Sequence, residues 1–366
     1  MENIFKNDYI LLTPGPLTTT KGVREALLKD MCTWDDDYNS LTQSIRNELV
    51  KLVTDDIENY TAVLLQGSGT YSVEGALTSS VGDDDKLLII SNGAYGDRIS
   101  DIARASRMNH VVLRFKEDAQ IDINEIENKL KEHSDITHIA MIHLETTTGI
   151  LNDIEGVCNL ANKYNKTMIV DAMSSMGAID IDVKKLNIDF LISSANKCIQ
   201  GVPGFGFIIC NKESLKKCNG KSRSLSLDIY DQWIAMEKGN GKWRFTSPTH
   251  VVRAFHKALM ELKEEGGVQV RNERYSENQT TLVEGLKSIG IDALIDRKYQ
   301  SPIITTFINP EDEKFSFKKL YNELKKDGFV IYPGKLTEIE TFRIGTIGDV
   351  HKDDIERLVS CISNLL

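Results

Sequence analysis

Short apolar runs alternate with polar segments of helical length through the first half of the chain. The runs are continuous rather than alternating, which is typical of strands buried on both faces of a sheet. Seven strands are predicted at residues 62–65, 87–90, 111–115, 139–144, 168–170, 190–192 and 205–210. Helical spacing falls at residues 73–80, 97–107, 123–133 and 154–164. Helices between consecutive strands predict an α/β domain with a mainly parallel seven-stranded sheet.

The regular alternation of predicted strands and helices changes after residue 210. A helix is predicted at 227–238, and Gly239, Gly241 and Pro248 then mark a loop before a long helix that begins near Thr249. A second α/β unit is predicted from strands at 302–308, 329–332 and 342–344 and helices at 316–326 and 353–365. We therefore expect a large domain over 1–270, with an irregular segment at 1–20, and a smaller C-terminal domain over 271–366.

Composition and charge narrow the possible partners. The 366 residues are 41% hydrophobic and 27% charged, as in soluble globular proteins. A formal net charge of -10 repels nucleic acids and anionic membrane surfaces. The basic run 212–223 lacks interleaved aromatic residues and is typical of a solvated helix and loop. No apolar stretch has the length of a membrane span, and residues 1–12 lack the apolar core of a signal peptide. We expect neither a nucleic-acid partner nor a membrane partner.

Cysteine and histidine spacing argues against a metal site. The six cysteines form no C-x-x-C pair, and the seven histidines form no H-E-x-x-H pattern. Reduced thiols in a cytoplasm are the simplest interpretation, so we expect a cytoplasmic protein without metal.

Asp171 and Lys197 are the strongest candidates for chemistry. Each follows an apolar strand, and their separation of 26 residues accommodates one helix and one strand. The two side chains can therefore meet at the carboxyl edge of the sheet, where open α/β sheets bind ligands. A lysine that condenses with an aldehyde and a carboxylate that keeps a pyridine nitrogen protonated together suit pyridoxal 5'-phosphate (PLP). An ordinary ion pair at a sheet edge explains the same spacing.

A turn that can bind phosphate precedes the first strong helix. Gln66-Gly67-Ser68-Gly69-Thr70 offers backbone N–H groups, two hydroxyls and the positive end of a helix. It lacks the G-K-[ST] of a P-loop and the third glycine of a dinucleotide fingerprint. A glycine turn without any ligand is the competing interpretation.

Three further positions are candidates with structural alternatives. Arg343 lies on a predicted strand followed by Gly345 and can clamp a carboxylate with two parallel hydrogen bonds, or it can be a surface arginine on an edge strand. Tyr95 follows a strand end and can stack on a flat heterocycle or fill a gap in the core. The loop that holds Trp243 and Arg244 can supply a phosphate donor or simply cap a helix.

In this order the segments resemble the fold-type I PLP enzymes and, within them, the class V aminotransferases. The resemblance runs from residue 11 to the carboxyl terminus and narrows to the 2-aminoethylphosphonate–pyruvate transaminase family. Its motifs are LLTPGPLTTT at 11–20, CTWD at 32–35, LQGSGTY at 65–71, SNGAYG at 91–96, SANKCIQGVPGF at 194–205 and FRIGT at 342–346.

The resemblance implies roles for the residues around the cofactor. Lys197 matches the lysine that binds the cofactor aldehyde, and Asp171 matches the partner of the pyridine nitrogen. Ser68, Gly69 and Thr70 match the turn that binds the cofactor phosphate.

The remaining matches rest on shorter motifs. Tyr95 matches the position whose ring covers the cofactor, and Thr147 matches a hydroxyl near the ring oxygen. Thr246 matches a phosphate contact from the other subunit of a homodimer with a shared active site. Arg343 matches the carboxylate anchor for pyruvate and alanine.

The implied reaction moves the amino group of 2-aminoethylphosphonate to pyruvate and gives phosphonoacetaldehyde and L-alanine. An alanine–glyoxylate or serine–pyruvate transaminase shares Lys197, Asp171 and Arg343 and differs in the donor pocket. A cysteine desulfurase needs a mobile cysteine, for which Cys198 beside Lys197 is a poor candidate. A catalytically inactive PLP-fold binding protein is the alternative outside enzymes. The groups that bind the phosphonate stay open, with Arg244 and Lys242 as candidates by charge.

Overall fold

Strands and helices alternate along most of the chain. The computed structural model describes residues 7–312, 315–334, 336 and 339–365, so residues 1–6 of the predicted irregular segment lie outside the described residues. The strands are β1 (Ile10–Leu11), β2 (Tyr60–Gly67), β3 (Leu87–Ser91), β4 (His110–Arg114), β5 (His138–Ile142), β6 (Leu144–Glu145), β7 (Ile150–Leu151), β8 (Thr167–Asp171), β9 (Phe190–Ser194), β10 (Gly204–Asn211), β11 (Ile304–Ile308), β12 (Phe329–Val330), β13 (Tyr332–Pro333) and β14 (Thr341–Gly345).

The helices surround these strands. They are α1 (Lys21–Ala26), α2 (Asp36–Lys51), α3 (Gly69–Ser80), α4 (Ala94–Ala105), α5 (Ile123–Glu132), α6 (Ile154–Lys163), α7 (Lys212–Lys216), α8 (Ile229–Lys238), α9 (Thr249–Glu265), α10 (Gly267–Ser288), α11 (Phe317–Lys326) and α12 (Lys352–Leu365). In the part of the chain that the structure describes, no helix combines the length and apolar character needed to cross a membrane.

The central sheet has seven strands in the order β2-β10-β9-β8-β5-β3-β4. Neighbours from β9 to β4 are parallel, whereas β10 is antiparallel to both β2 and β9. The mainly parallel seven-stranded sheet is therefore confirmed, and β10 is the strand that runs the other way. Only residues 195–203 join β9 to β10, too few for the crossover that a parallel pair needs. As a result the carboxyl ends of the other six strands lie at one edge of the sheet.

Two features of the helices differ from the sequence prediction. Helices α1 and α2 occupy a region for which no helix was predicted, and α2 buries Tyr38, Ile45 and Leu49 against the sheet. Helix α9 begins at Thr249, where a long helix was predicted to begin, and it ends at Glu265 because Gly266 adopts a left-handed φ of 116°. Helix α10 follows directly, and no separate helix was predicted there. The division of domains at residue 270 would fall in the first turn of α10, and it stays a prediction.

The C-terminal part is a smaller α/β unit, as expected. Strands β11, β14 and β13 form an antiparallel sheet in that order. Its core contains Phe307, Phe342 and Leu358, and Leu282 of α10 packs into the same cluster. Strand β1 pairs in parallel with β12, which ties the amino-terminal segment to this unit.

A buried arginine joins α2 to the edge of the large sheet. Arg46 is 2% exposed, and its guanidinium donates hydrogen bonds to Ala62 O at 2.8 Å and Thr61 Oγ1 at 2.9 Å. It also pairs with Glu237 of α8 at 2.5 Å. One side chain therefore satisfies polar groups on α8 and β2 at once.

Replacement of Arg46 by lysine should destabilise the fold without touching the carboxyl edge of the sheet. A lysine cannot reach all three acceptors, so Arg46→Lys is expected to lower the free energy of unfolding by about 1–3 kcal/mol. Urea denaturation measures the loss. Arg104→Lys is the control, since Arg104 is mostly exposed and should change stability by less than about 0.5 kcal/mol. Equal stability of the two variants would contradict the structural role of Arg46.

Candidate active site

Lys197 lies in the turn that follows β9 and is held from the amino-terminal segment. Its Nζ donates a hydrogen bond to Pro14 O at 2.7 Å. The neighbouring Gly15 has a φ of 109°, and a Cβ there would lie 2.7 Å from Lys197 Cδ. Glycine is therefore needed for this close approach. Burial lowers the pKa of Lys197 to about 8, with the Asp171 carboxylate acting in the opposite direction. The amine is thus closer to its nucleophilic form at neutral pH than an exposed lysine.

Asp171 ends β8, the neighbour of β9, so the sheet brings it to the same edge as Lys197. Its Oδ1 accepts a hydrogen bond from the Met173 N–H at 2.8 Å. Burial raises the pKa of Asp171 to about 6, and the nearby Glu145 acts in the same direction. A buried carboxylate in this position is stabilised by a positively charged partner.

The turn predicted to bind phosphate lies at the start of α3. Ser68 is the N-cap residue, and its exposed side chain makes no capping hydrogen bond. Backbone N–H groups of Gly69 and Thr70 are in the first helical turn, where an anion is favoured by the helix dipole. Gly69 also allows Met173 to approach, since a Cβ there would lie 2.3 Å from Met173 Sδ. The turn and the residue two positions after Asp171 therefore pack directly on each other.

Tyr95 is held in place by a buried carboxylate that the sequence did not single out. Glu145 is fully buried and accepts a hydrogen bond from the Tyr95 N–H at 3.0 Å. Burial raises the pKa of Glu145, and hydrogen bonds from Thr147 act against that shift. An acidic residue at the end of an apolar strand was the signal that could have identified it.

Arg98 is a second residue that the sequence analysis missed. Its guanidinium carbon lies 4.6 Å from the centroid of the Tyr95 ring, and its Nη1 donates to Thr70 Oγ1 at 3.4 Å. The spacing of three residues from Tyr95 on one helix places both on the same face, which was a usable signal. Arg98 therefore brings a positive charge to the phosphate turn.

Thr147 and Arg343 adjoin the site through backbone and buried contacts. Thr147 Oγ1 donates to Glu145 Oε1 at 2.7 Å, and its predicted role near a ring oxygen stays a prediction. Arg343 on β14 donates through Nη1 to Thr146 O at 2.8 Å and through Nε to Pro333 O at 3.0 Å. Burial lowers the pKa of Arg343, and Tyr95 acts in the opposite direction. The C-terminal sheet thus reaches the large-domain site through Arg343.

Most of the predicted site residues line one cavity of about 430 Å3. Its lining includes Ser68, Gly69, Thr70, Tyr95, Asp171 and Lys197. The lining also includes Arg98 and Thr146. Thr147 and Arg343 are not part of it, although Arg343 bonds to the carbonyl of Thr146. Nucleophile, carboxylate, aromatic ring and anion-binding turn therefore surround a single space.

Thr246 lies apart from that cavity in its own chain. It lines a neighbouring cavity of about 510 Å3, which shares Gly67 and Ser68 with the first. Arg244, a candidate for binding the phosphonate, donates to Leu225 O at 3.0 Å and pairs with Asp231. Lys242 lies 3.9 Å from the centroid of the Trp34 ring. The side chains of both candidates are therefore engaged away from the cavity that contains Lys197.

Groups of three or more metal-binding side chains do not occur within the residues that the structure describes. All six cysteines are free, and Cys198 is fully buried. Burial raises the pKa of the Cys198 thiol to about 12, and its Sγ donates to Ser174 O at 3.2 Å. The thiol beside Lys197 is thus a protonated, fixed group.

Known proteins resemble this chain in sequence. Residues 34–335 match the aminotransferase class V family. A 2-aminoethylphosphonate–pyruvate transaminase of Bacillus cereus is 59% identical over 358 residues, which cover 98% of each chain. A bifunctional phosphonoacetaldehyde hydrolase/aminoethylphosphonate transaminase of Clostridioides difficile is 60% identical over 361 residues. That match covers 99% of this chain and 57% of the longer bifunctional protein.

Solved aminotransferases have the same fold at low sequence identity. Alanine–glyoxylate aminotransferase of Nostoc sp. gives a TM-score of 0.88 at 22% identity, with 98% of this chain and 96% of that chain covered. A ureidoglycine–glyoxylate aminotransferase of Bacillus subtilis gives 0.88 at 20% identity, with coverage of 98% and 92%. These likenesses confirm the expected fold-type I architecture. The match over residues 34–335 and the 59% identity to the Bacillus cereus enzyme show that the chain belongs to the class V aminotransferase family.

Proposed function

We propose that this chain is a PLP-dependent transaminase that moves the amino group of 2-aminoethylphosphonate to pyruvate. The products are phosphonoacetaldehyde and L-alanine. The observation that carries the proposal is the cavity that joins Lys197, Asp171 and the phosphate turn, in a chain 59% identical to a 2-aminoethylphosphonate–pyruvate transaminase over nearly its whole length.

The residues present fit PLP, which the class V family uses. The cavity of about 430 Å3 offers an amine, a carboxylate and an anion-binding turn, one for each polar part of the cofactor. Ser68, Gly69 and Thr70 would hold the phosphate with the help of Arg98. Asp171 would pair with the ring nitrogen, and Tyr95 would cover one face of the ring. When bound, PLP supplies an aldehyde for the amine and a ring that takes up electrons from the bond broken at the substrate carbon.

Lys197 would both bind the cofactor and move protons. With the cofactor bound, Lys197 Nζ would take a proton from the substrate carbon that carries the amino group. The same Nζ would then give the proton back, so that Lys197 would act as both base and acid. A pKa lowered by burial suits both tasks, because the amine gains and loses a proton near neutral pH.

Arg343 would orient pyruvate through its carboxylate. Its bonds to Thr146 O and Pro333 O use Nη1 and Nε and leave Nη2 for a substrate. The donor 2-aminoethylphosphonate has no carboxylate, so Arg343 matters for pyruvate and alanine in particular. That lack also excludes decarboxylation of the donor and leaves deprotonation as its productive path.

A homodimer with shared active sites completes the proposal. Thr246 faces a cavity that shares Gly67 and Ser68 with the Lys197 cavity, so a second copy placed there brings its own chain close to the phosphate turn. Tyr71 and Phe245 border the same region and are 53% and 51% exposed. Large apolar side chains clustered at such exposure are typical of an interface.

The alternatives have weaker support. The alanine–glyoxylate enzyme of Nostoc sp. is 22% identical, a likeness that speaks for the fold alone. A desulfurase needs a reactive thiol near the cofactor, and the buried, protonated Cys198 does not offer one. An inactive binding protein has no need for the Lys197 and Asp171 pair.

A donor screen tests the function. Purified protein loaded with PLP should form alanine and phosphonoacetaldehyde from pyruvate only when 2-aminoethylphosphonate is present. The same preparation is assayed with alanine and glyoxylate, and with serine and pyruvate. Fast alanine–glyoxylate exchange without turnover of 2-aminoethylphosphonate would overturn the proposal.

Asp171→Asn should lower the activity but raise the thermal stability of the cofactor-free protein at pH 7. The variant is expected to keep the cofactor but lose most turnover, because an amide does not hold the ring nitrogen protonated. In the cofactor-free protein the folded pKa of Asp171, about 6, exceeds the ordinary 3.8, so ionisation above pH 6 costs the fold about 3 kcal/mol. The cofactor-free variant should therefore melt higher than the wild type at pH 7, with the difference shrinking as pH falls from 6 toward 3.8. Near-normal turnover would contradict the assigned role.

Arg343→Ala should affect one substrate far more than the other. Loss of a charge-assisted pair is expected to raise the KM for pyruvate by about 30- to 100-fold, with little change in the KM for 2-aminoethylphosphonate. Arg343→Lys should fall between, since it keeps the positive charge but loses the guanidinium that also bonds to Thr146 O and Pro333 O. Arg357→Ala, which removes an arginine bonded to Asp327 O, is the control. Equal effects on both substrates would exclude a carboxylate-specific role.

Mixing two inactive variants tests the shared site. Lys197→Ala lacks the nucleophile, and Thr246→Asp should repel the cofactor phosphate. If Thr246 serves the partner's site, a hybrid dimer contains one intact site, and random mixing restores about one quarter of wild-type activity. If each chain uses its own Thr246, every site in the hybrid is defective and the mixture stays inactive. An active monomer would also refute the shared site.

A further inference from the structure

A partly buried polar cluster lies where α9 meets α10, outside the cavity described above. We call Glu265, Arg271, Arg274 and Tyr275 the Glu265 cluster. Arg271 is 2% exposed and donates through Nε to Glu265 Oε2 at 2.7 Å, with a second bond from Nη2 to the same oxygen. Arg274 Nε donates to Glu265 Oε1 at 2.8 Å. Both oxygens of one carboxylate are therefore occupied by two arginines.

The Glu265 cluster contacts the turn that carries Lys197. Arg271 Nη1 donates to Cys198 O at 2.8 Å, one residue beyond Lys197. Gln200 Nε2 donates to the Tyr275 hydroxyl at 2.6 Å, and the Gln200 N–H closes the turn onto Lys197 O at 2.7 Å. Gln200 has a φ of 68°, a conformation that costs energy in a residue with a side chain. Its bonds to the cluster stabilise that strained turn.

The same cluster contacts the loop that follows Arg343. Arg274 Nη1 donates to Gly348 O and Val350 O, both at 2.9 Å. The Gly348 N–H donates to the Tyr275 hydroxyl at 3.3 Å, and Gln200 Nε2 donates to Gly348 O at 2.9 Å. The Lys197 turn and the loop after β14 are thus bonded to one face of α10 and to each other.

We infer that the Glu265 cluster fixes the position of Lys197 relative to Arg343, and that Arg271 and Glu265 are positioning residues for the transamination. Neither touches the cavity that holds the reacting atoms. Arg271 acts through the Cys198 carbonyl, and Glu265 acts by orienting Arg271. The inference rests on the proposed function only in that Lys197 binds the cofactor.

The energetics of burial explain why such a cluster controls geometry. Burial would raise the pKa of Glu265, but Arg274 and Arg271 outweigh burial and hold that pKa below its usual range, so the carboxylate stays charged. A buried guanidinium that loses its partner is left uncompensated, which forces the surrounding turn to rearrange. A displacement of about 1 Å at a reacting group can reduce the rate by about a hundredfold. Small changes in the Glu265 cluster should therefore alter the position of Lys197.

Two conservative variants test the inference in the holoenzyme. Arg271→Lys keeps the charge and loses the fork, and Glu265→Gln keeps the shape and loses the charge. Each should lower kcat by about tenfold or more, with KM values for both substrates changed by less than about twofold. The midpoint of the pH titration of the visible absorbance of the Lys197-bound cofactor should move by at least about half a unit.

A second experiment measures the titration of Lys197 without substrate or cofactor. Acylation of Lys197 in the cofactor-free protein is followed by peptide mass spectrometry across pH. Its midpoint should be about 8 in the wild type. It should rise toward 10.5 in the variants, because a loosened turn exposes the amine to water and removes the effect of burial.

Arg46→Lys is the matched control, because Arg46 is equally buried and paired but lies in another part of the fold. It should lower thermal stability without changing kcat or either midpoint. The inference is overturned if both cluster variants keep the wild-type midpoints and kcat, or if Arg46→Lys shifts them equally. A failure to turn over 2-aminoethylphosphonate would count against the proposed function alone, since both midpoints are measured without the donor.

Discussion

The burial of Asp171 beside the half-buried Lys197 at one edge of the sheet is the constraint on which the rest of the structure depends. Burial favours the neutral form of each group. It lowers the pKa of Lys197 to about 8 and raises the pKa of Asp171 to about 6. Such groups are costly to bury unless neighbours orient and compensate them. Pro14 O contacts Lys197 from the amino-terminal segment, and the Met173 N–H contacts Asp171 from the next turn. Residues from different parts of the chain therefore hold the Lys197 amine and the Asp171 carboxylate in place.

The reversed strand β10 makes this edge usable. Because β10 returns antiparallel between β9 and β2, Gly204 at its start lies opposite Gly67 at the end of β2. The Lys197 turn and the phosphate turn thereby become neighbours, although about 130 residues separate them in sequence. Gly204 lines the cavity beside Lys197 and Gly67. The sheet order, more than any loop, decides which residues meet.

Sequence patterns predicted those parts of the site that are determined by a few consecutive residues. A strand ending in Asp171, a strand followed by Lys197 and a glycine turn before α3 are each visible within a few residues. Glu145 and Arg98 also had local signals, but their importance depends on contacts with Tyr95 and Thr70 that only the fold creates. Helix α10 was not predicted as a separate helix for a related reason. A glycine pair inside a helical pattern does not reveal that its φ becomes positive until the packing of both helices is known.

The charges of the cavity show how an acidic chain can act on anions. A chain of net charge -10 repels phosphate, phosphonate and carboxylate at long range. Around the cavity, Arg98, Lys197 and Arg343 place three cationic side chains against Asp171 and Glu145. Burial raises the pKa of both acids, because their charged forms lose the stabilisation that water provides. Attraction of anionic ligands therefore acts over short distances within a low-dielectric cavity. It distinguishes between small ligands there and does not draw polyanions from solution.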